Sequence, residues 1–328
     1  MRRYIYETLH PEIYHGHNTK PPYFEGWYYK VVSADESHRY AIIPGVFREK
    51  TSAKDHCFVQ VLDGMTGKAT YHEYPATAFK ADYDKFDVWV GPNHFSRDSL
   101  SLNIDDDQAQ IHGELNFGEG HGWTVRVVEP GVMGWYAWLP IMECYHGILS
   151  FGHTVNGNLH IDGSSVTFEG GRGYIEKDWG QSFPSAYIWM QSNHFDTPDT
   201  SLMASIAIIP SLGRSFAGHI AGFYHRGVLH RMTTYTNAKV ESLRLDDEHV
   251  YYTLKDKRYR LELIAERRSG GLLKAPIRTE MHKRVDETMQ STVQVRFSTL
   301  TGECLFEGIG RNAALEVHGE LDRMQEMI

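Results

Sequence analysis

Short runs in which alternate residues share a character, each cut off by a turn dipeptide, dominate this chain and leave it few folds to adopt. Residues 39–48, 56–62, 69–74, 77–83, 86–90, 99–104 and 108–117 read this way, punctuated by Asp63-Gly64, Thr66-Gly67, Gly91-Pro92-Asn93 and Asp105-Asp106-Asp107. Side chains on a strand point alternately to its two faces, so the pattern predicts half-buried strands. Strands this short, with turns between them, predict an all-β sandwich or barrel. Asn156-Gly157 and Asp162-Gly163 are strong hairpin signals. The pattern resumes at 201–209, 214–225, 227–236, 238–245, 249–255, 259–265, 293–298 and 303–310. The first twenty residues read as an irregular lead-in and 120–140 as a loop-rich crossover. Residues 282–289 read as a short helix or an edge strand, and 313–317 with the polar tail as a small terminal helix. A length of 328 residues is long for one core. Two β domains are therefore expected, an N-terminal one over 1–165 and a C-terminal one over 166–328.

Two stretches concentrate chemistry. In 24–33, Glu25, Trp27, Tyr29 and Val31 share one face and Gly26, Tyr28, Lys30 and Val32 the other. A lysine is not expected to be buried unpaired, which puts Glu25 and Trp27 inward. In 171–195, Glu176, Lys177 and Asp178 run into Trp179, and 180–184 breaks the run. Tyr187, Trp189, Gln191 and Asn193 then share a face opposite Ile188 and Met190. Aromatics mixed with uncharged amides suit a lined cavity better than a solvated face or an aliphatic core.

Pro22-Tyr23-Phe24-Glu25-Gly26-Trp27-Tyr28-Tyr29-Lys30 resembles the signature near the start of the tocopherol cyclase family. Glu176-Lys177-Asp178-Trp179-Gly180, with Phe183-Pro184 and Trp189, Gln191 and Asn193 following, resembles that family's second block, in which Asp178 stands where Asn is usual. Trp138-Leu139-Pro140, Leu273-Lys274-Ala275-Pro276 and Ala314-Leu315-Glu316-Val317 fit the same layout. The family is related to the carotenoid hydratase and hydroxyneurosporene synthase group. The resemblance implies two lipocalin-like antiparallel β-barrels, and ring closure of prenylated quinols without a redox cofactor. Such chemistry needs an acid to protonate an alkene, aromatic walls around the carbocation and a group to take the phenol proton. On that implication Glu25, Glu176 and Asp178 are the candidate acids. Trp27, Tyr29, Trp179, Tyr187 and Trp189 are the substrate-binding surface, and Gln191, Asn193 and His194 bind the quinol oxygens or accept the proton. All are expected to serve one pocket.

Each residue has a plainer reading beside this one. Glu176-Lys177-Asp178 also reads as a solvated turn, Trp27 and Trp179 as plugs of a barrel end, and Glu25 as half of an ion pair with Lys177 or Arg172. Glu143 and His146 read as a satisfied polar pair. His10, His15 and His17 lack a recognised metal spacing, and no metal or other cofactor is expected. A net charge of −9 without a basic block argues against nucleic acid and against electrostatic docking on acidic lipids. Three scattered cysteines suggest a reduced, cytoplasmic setting, and no apolar run predicts a membrane-spanning segment. The expected partner is a small hydrophobic molecule, which a non-catalytic binder or an isoprenoid hydratase would also hold. Neither G-x-S-x-G nor a phosphate-binding glycine loop occurs.

Overall fold

Every strand pairing in the computed structural model, which describes residues 1–211 and 213–328, is antiparallel among the described residues. The all-β class expected from the alternation is the observed one, as is the lipocalin-like architecture that the resemblance implies. The chain forms two compact units, Met1–Phe183 with Leu273–Arg284, and Pro184–Leu272 with Val285–Ile328. In the first unit a short helix, α1 (Arg2–Leu9), precedes strands β1 (Tyr23–Val32), β2 (Arg39–Arg48), β3 (His56–Asp63), β4 (Ala69–Pro75), β5 (Phe79–Ala81), β6 (Asp87–Val90), β7 (Asn93–Ser96), β8 (Ser99–Asp105) and β9 (Gln110–Phe117). The small hairpin β10 (Val125–Arg126) and β11 (Glu129–Pro130) follows, then β12 (Cys144–Ile161), β13 (Ser164–Thr167) and β14 (Gly171–Gly180). The sheet runs β4-β3-β2-β1-β14-β12-β9-β8-β7-β6-β5, so β1 and β14, far apart in sequence, are neighbours in its middle.

One apolar cluster holds Trp27, Tyr29 and Val31 from β1, Val59 from β3, Val88 from β6, Leu102 from β8 and Ile175 from β14. Strands from opposite ends of the order share that core, so the sheet curls around it. The free edge of β4 is met by Gln108, whose side chain accepts from Tyr71 N at 3.2 Å and donates to Tyr71 O at 2.9 Å. At Tyr71 the edge is thereby closed to a further strand.

The second unit contributes β15 (Ala186–Ser192), β16 (Thr200–Ser211), β17 (Arg214–His225), β18 (Val228–Thr233), β19 (Lys239–Leu245), β20 (His249–Lys255) and β21 (Tyr259–Glu266). β22 (Gly271–Ile277) and β23 (Glu280–Thr299) run through residues of both units, and β24 (Cys304–Gly319) leads to helix α2 (Leu321–Gln325). Ile188 and Met190 of β15 join Ala204, Ile206, Phe223, Val295 and Leu315 in this unit's core. No helix among the described residues is long and apolar enough to cross a membrane.

Three local expectations give way to tertiary context. The lead-in contains α1, held by Arg3 Nε donating to Glu7 at 2.8 Å and by Tyr4 packing on Trp138 at 6.1 Å. Asn156-Gly157 lies inside β12 rather than in a turn. Gly157 has φ +123°, and a Cβ there would come within 2.3 Å of Glu114 O, so the glycine serves strand contact. Asp162-Gly163 does turn, with φ of 48° and 83°. Residues 313–317 are strand, because Leu315 pairs with Met190 and is buried in the core. Residues 282–289 lie within β23.

Gly180 ends the charged block for a steric reason. It has φ +150°, and a Cβ would lie 2.3 Å from Glu143 O across the β12–β14 ladder. Gly180→Ala is expected to lower unfolding stability by about 2 kcal/mol or more, read as a drop in the denaturation midpoint.

Candidate functional site

Strand register divides the predicted site residues between two faces. β1 and β14 pair so that Glu25 lies opposite Trp179, Trp27 opposite Lys177, and Tyr28 opposite Glu176. Paired residues share a face and neighbours in sequence do not. Glu25, Trp27, Lys177 and Trp179 therefore sit on the core side of the first unit, with Glu176 and Asp178 on the other. The single pocket expected for Glu25 and Glu176 together is not what the sheet builds.

On the core side, Lys177 Nζ lies 2.5 Å from Glu25 Oε1, and both side chains are fully buried. Glu25 also accepts from His15 N at 3.0 and 3.1 Å and from the Tyr23 hydroxyl. Lys177 donates to Pro11 O at 3.0 Å, to Ile13 O and to His15 Nδ1 at 2.9 Å. The ammonium lies over the Trp27 and Trp179 rings at 4.9 and 4.7 Å, and His15 stacks on Trp179 at 4.4 Å. Burial pushes the Glu25 carboxyl up, but Lys177 and the donors around it hold it below the usual carboxylate range. Burial lowers Lys177 against the pull of Glu25. These directions oppose each other for the pair, and the carboxylate's governs, since the donor set converging on its two oxygens suits an anion. Burial and Lys177 also hold His15 below its ordinary value, matching a neutral ring that accepts at Nδ1 and meets Glu7 O at 3.0 Å through Nε2.

Glu25 is thus half of an ion pair, the plainer of its two readings, and is poorly suited to donate a proton. Trp27 belongs to the apolar core and Trp179 packs against it. Tyr29, expected on a binding surface, is a core residue whose hydroxyl donates to Ser96 O at 2.6 Å. Lys30, expected outside, is buried as well, so β1 is covered on both faces.

On the opposite side, His146 of β12 pairs in register with Asp178 of β14. Its Nδ1 lies 2.8 Å from Asp178 Oδ1 and its Nε2 lies 3.5 Å from Glu176 Oε2. Tyr174 donates to the same Glu176 oxygen at 2.5 Å. Burial acts to lower His146, but Asp178 and Glu176 outweigh it and push the imidazole up to about 9. Burial and Glu176 raise Tyr174 well above the ordinary phenol value, so it remains a donor. Cys144 is raised by burial and by Asp178, which leaves a thiol and not a nucleophile. The side chain of His146 is 12% exposed, that of Glu176 6% and that of Asp178 26%, so the line of three runs from a dry end to a wetter one. Their ligand atoms lie within 4.8 Å of one another and could also hold a divalent cation, the one such group among the described residues. Glu143, first paired with His146 on paper, instead accepts from Arg278 at 2.8 Å.

In the second unit Tyr187, Trp189 and Gln191 share a face of β15 as expected, away from that unit's core yet buried. Tyr187 donates to Glu316 at 2.7 Å. Glu316 pairs in register with Trp189 and with the fully buried Glu287, two carboxylates that the sequence reading passed over. Asn193 and His194 are buried just past the strand, and His194 forms an isolated bridge with Arg311.

Residues 120–319, which carry β12, β14 and β15, match the family described as Tocopherol cyclase-like. The chain belongs to that family. It is 34% identical over 76 residues to the "Probable tocopherol cyclase, chloroplastic" of Oryza sativa subsp. japonica, 23% of this chain and 16% of that protein. It is 24% identical over 232 residues to the "Tocopherol cyclase, chloroplastic" of Zea mays, 56% of this chain and 48% of that protein. The chain thus spans about half or less of these curated relatives. Among solved structures, CghA is similar with a TM-score of 0.56 at 12% identity, covering 92% of this chain and 90% of that one. Kievitone hydratase from Nectria haematococca has a TM-score of 0.52 at 12% identity, covering 94% of each. At these identities the likeness is one of fold.

Three outcomes follow from the two clusters. Lys177→Met leaves Glu25 buried without its cation and should cost about 3–5 kcal/mol in chemical denaturation, much of it recovered when Glu25→Gln is added. Asp178→Asn removes the larger pull on His146, so its imidazole should titrate clearly below 9 by NMR, closer to 6.5. A folded-state value raised above the unfolded one stabilises most below about pH 6.5 and is lost as pH rises through 9. Relative to His146→Gln, the wild type should therefore lose up to roughly 3 kcal/mol between pH 6 and 9.5.

Proposed function

We propose that this chain is a cofactor-independent acid–base catalyst that protonates an isoprenoid alkene so that a phenol or quinol oxygen closes a ring. Family membership supports the class of chemistry. The observation that carries the assignment of residues is the line Asp178–His146–Glu176, in which one imidazole is hydrogen-bonded to a carboxylate and faces a second. Asp178 holds the ring through Nδ1 and keeps a proton on Nε2, 3.5 Å from Glu176. Transfer of that proton makes Glu176 a neutral carboxylic acid, the stronger proton donor of the two. Glu176 then protonates the alkene, the tertiary cation forms, and the phenol oxygen attacks it. The phenol proton returns to His146, so the cycle neither consumes nor releases a proton. Tyr174 fixes the Glu176 carboxylate. Tyr187, Trp189, Gln191, Asn193 and His194 belong to the second unit, and this reading gives them no step in the proton line.

Addition of water to the alkene is the second reading, and the exposure of Asp178 favours it, since that end of the line can hold a water. The fold likeness to a hydratase is compatible with either outcome.

Incubation with prenylated quinols in deuterated water distinguishes the readings: a ring product with one new C–D bond supports the cyclase, and a tertiary alcohol supports the hydratase. Glu176→Gln and His146→Gln should each lower kcat by about 10²–10⁴ with ligand binding retained. Unimpaired turnover in both variants sinks the assignment.

A further inference from the structure

Among the apolar side chains left in solvent, one group is gathered in joined segments of the chain. Val127 is 67% exposed, Val128 79%, Trp135 47%, Ile141 64%, Tyr4 41% and Ile5 43%. Apart from Ile141, these lie on the β10–β11 hairpin, the 3₁₀ turn Gly131–Trp138 behind it, and α1. Contacts tie the three segments together. Trp138 donates from Nε1 to Val127 O at 2.8 Å, and the Tyr4 hydroxyl donates to Trp138 O at 2.6 Å. Isolated exposed apolar residues are ordinary, whereas a joined group on one part of a surface marks an interaction site.

The geometry points to the hairpin tip Val127-Val128, flanked by Trp135 and Tyr4, as a surface that docks on the acyl boundary of a neutral lipid bilayer. Two adjacent valines this exposed form a projecting tip. A tip inserts into a fluid phase, whereas a symmetric protein contact needs a self-complementary face. The turn is held in shape, because Val125 pairs with Pro130, Arg126 with Glu129, and the Val127 carbonyl is taken by Trp138. Indole and phenol rings behind an apolar tip are the groups that favour the headgroup level. Arg126 and Glu129 balance at the base of the tip, so the tip itself carries no net charge and suits zwitterionic lipid better than an acidic surface. Use of this surface to collect substrate rests on the proposed function; vesicle binding does not.

The test is sedimentation of the full chain with phosphatidylcholine vesicles, alongside Val127→Glu/Val128→Glu. The wild type is expected to sediment with the vesicles and the variant to partition at least about tenfold more weakly, with an unchanged melting midpoint. Equal sedimentation of the two proteins, or a wild type that stays in the supernatant, overturns the proposal. A wild-type dimer that the variant dissolves, without vesicle binding, overturns it in favour of a second copy. Vesicle binding by a protein inactive on every prenylated quinol leaves the docking surface standing and removes only its proposed purpose.

Discussion

A buried ammonium has to meet its counter-ion where it lies, and Lys177 meets Glu25 inside the first unit. That pairing constrains much else. β14 alternates strictly, so fixing Lys177 on the core side fixes Trp179 with it and turns Glu176 and Asp178 outward. A slip of one residue between β1 and β14 would bury two carboxylates in the apolar cluster and expel the lysine. The ion pair is thus a register device, a use of buried charge better attested than net stabilisation. The Asp178–His146–Glu176 line across β12 and β14 inherits its placement from a salt bridge it does not touch.

Much of the fold was legible because period two is a local signal. The strand at 39–48 was bounded to the residue, and the shared faces of Glu25 with Trp27 and of Tyr187 with Trp189 hold. The argument that put Lys30 outside fails, since Lys30 is buried, although the inner face it was used to infer is right. Asn156-Gly157 misled because a glycine needed for close contact with β9 looks the same on paper as a glycine needed for a turn.

The candidate site was legible only in part. Glu176 and Asp178 were singled out, but their partner His146 lies 32 residues from Asp178 and is brought beside it by the β12–β14 ladder. Cross-strand pairing is invisible to a reading of neighbours along the chain, which instead paired His146 with Glu143, three positions away. The block Glu176-Lys177-Asp178-Trp179-Gly180 divides between two faces: Lys177 and Trp179 anchor the sheet, Glu176 and Asp178 face His146, and the glycine lets β12 approach. Asp178, where the resembled block usually has Asn, adds a full charge beside the imidazole and so keeps it protonated to higher pH.

The acceptors that hold Lys177 have a bearing on how the chain is made. Pro11, Ile13 and His15 lie 166, 164 and 162 residues before it, so this segment finds its place only after β14 has been made. Until β14 emerges, Glu25 has no lysine beside it and the 10–15 segment has nothing to wrap. Contacts of such sequence separation are slow to close. The end of the sheet that they seal therefore closes only once β14 is present, 162 to 166 residues of chain after the segment it holds.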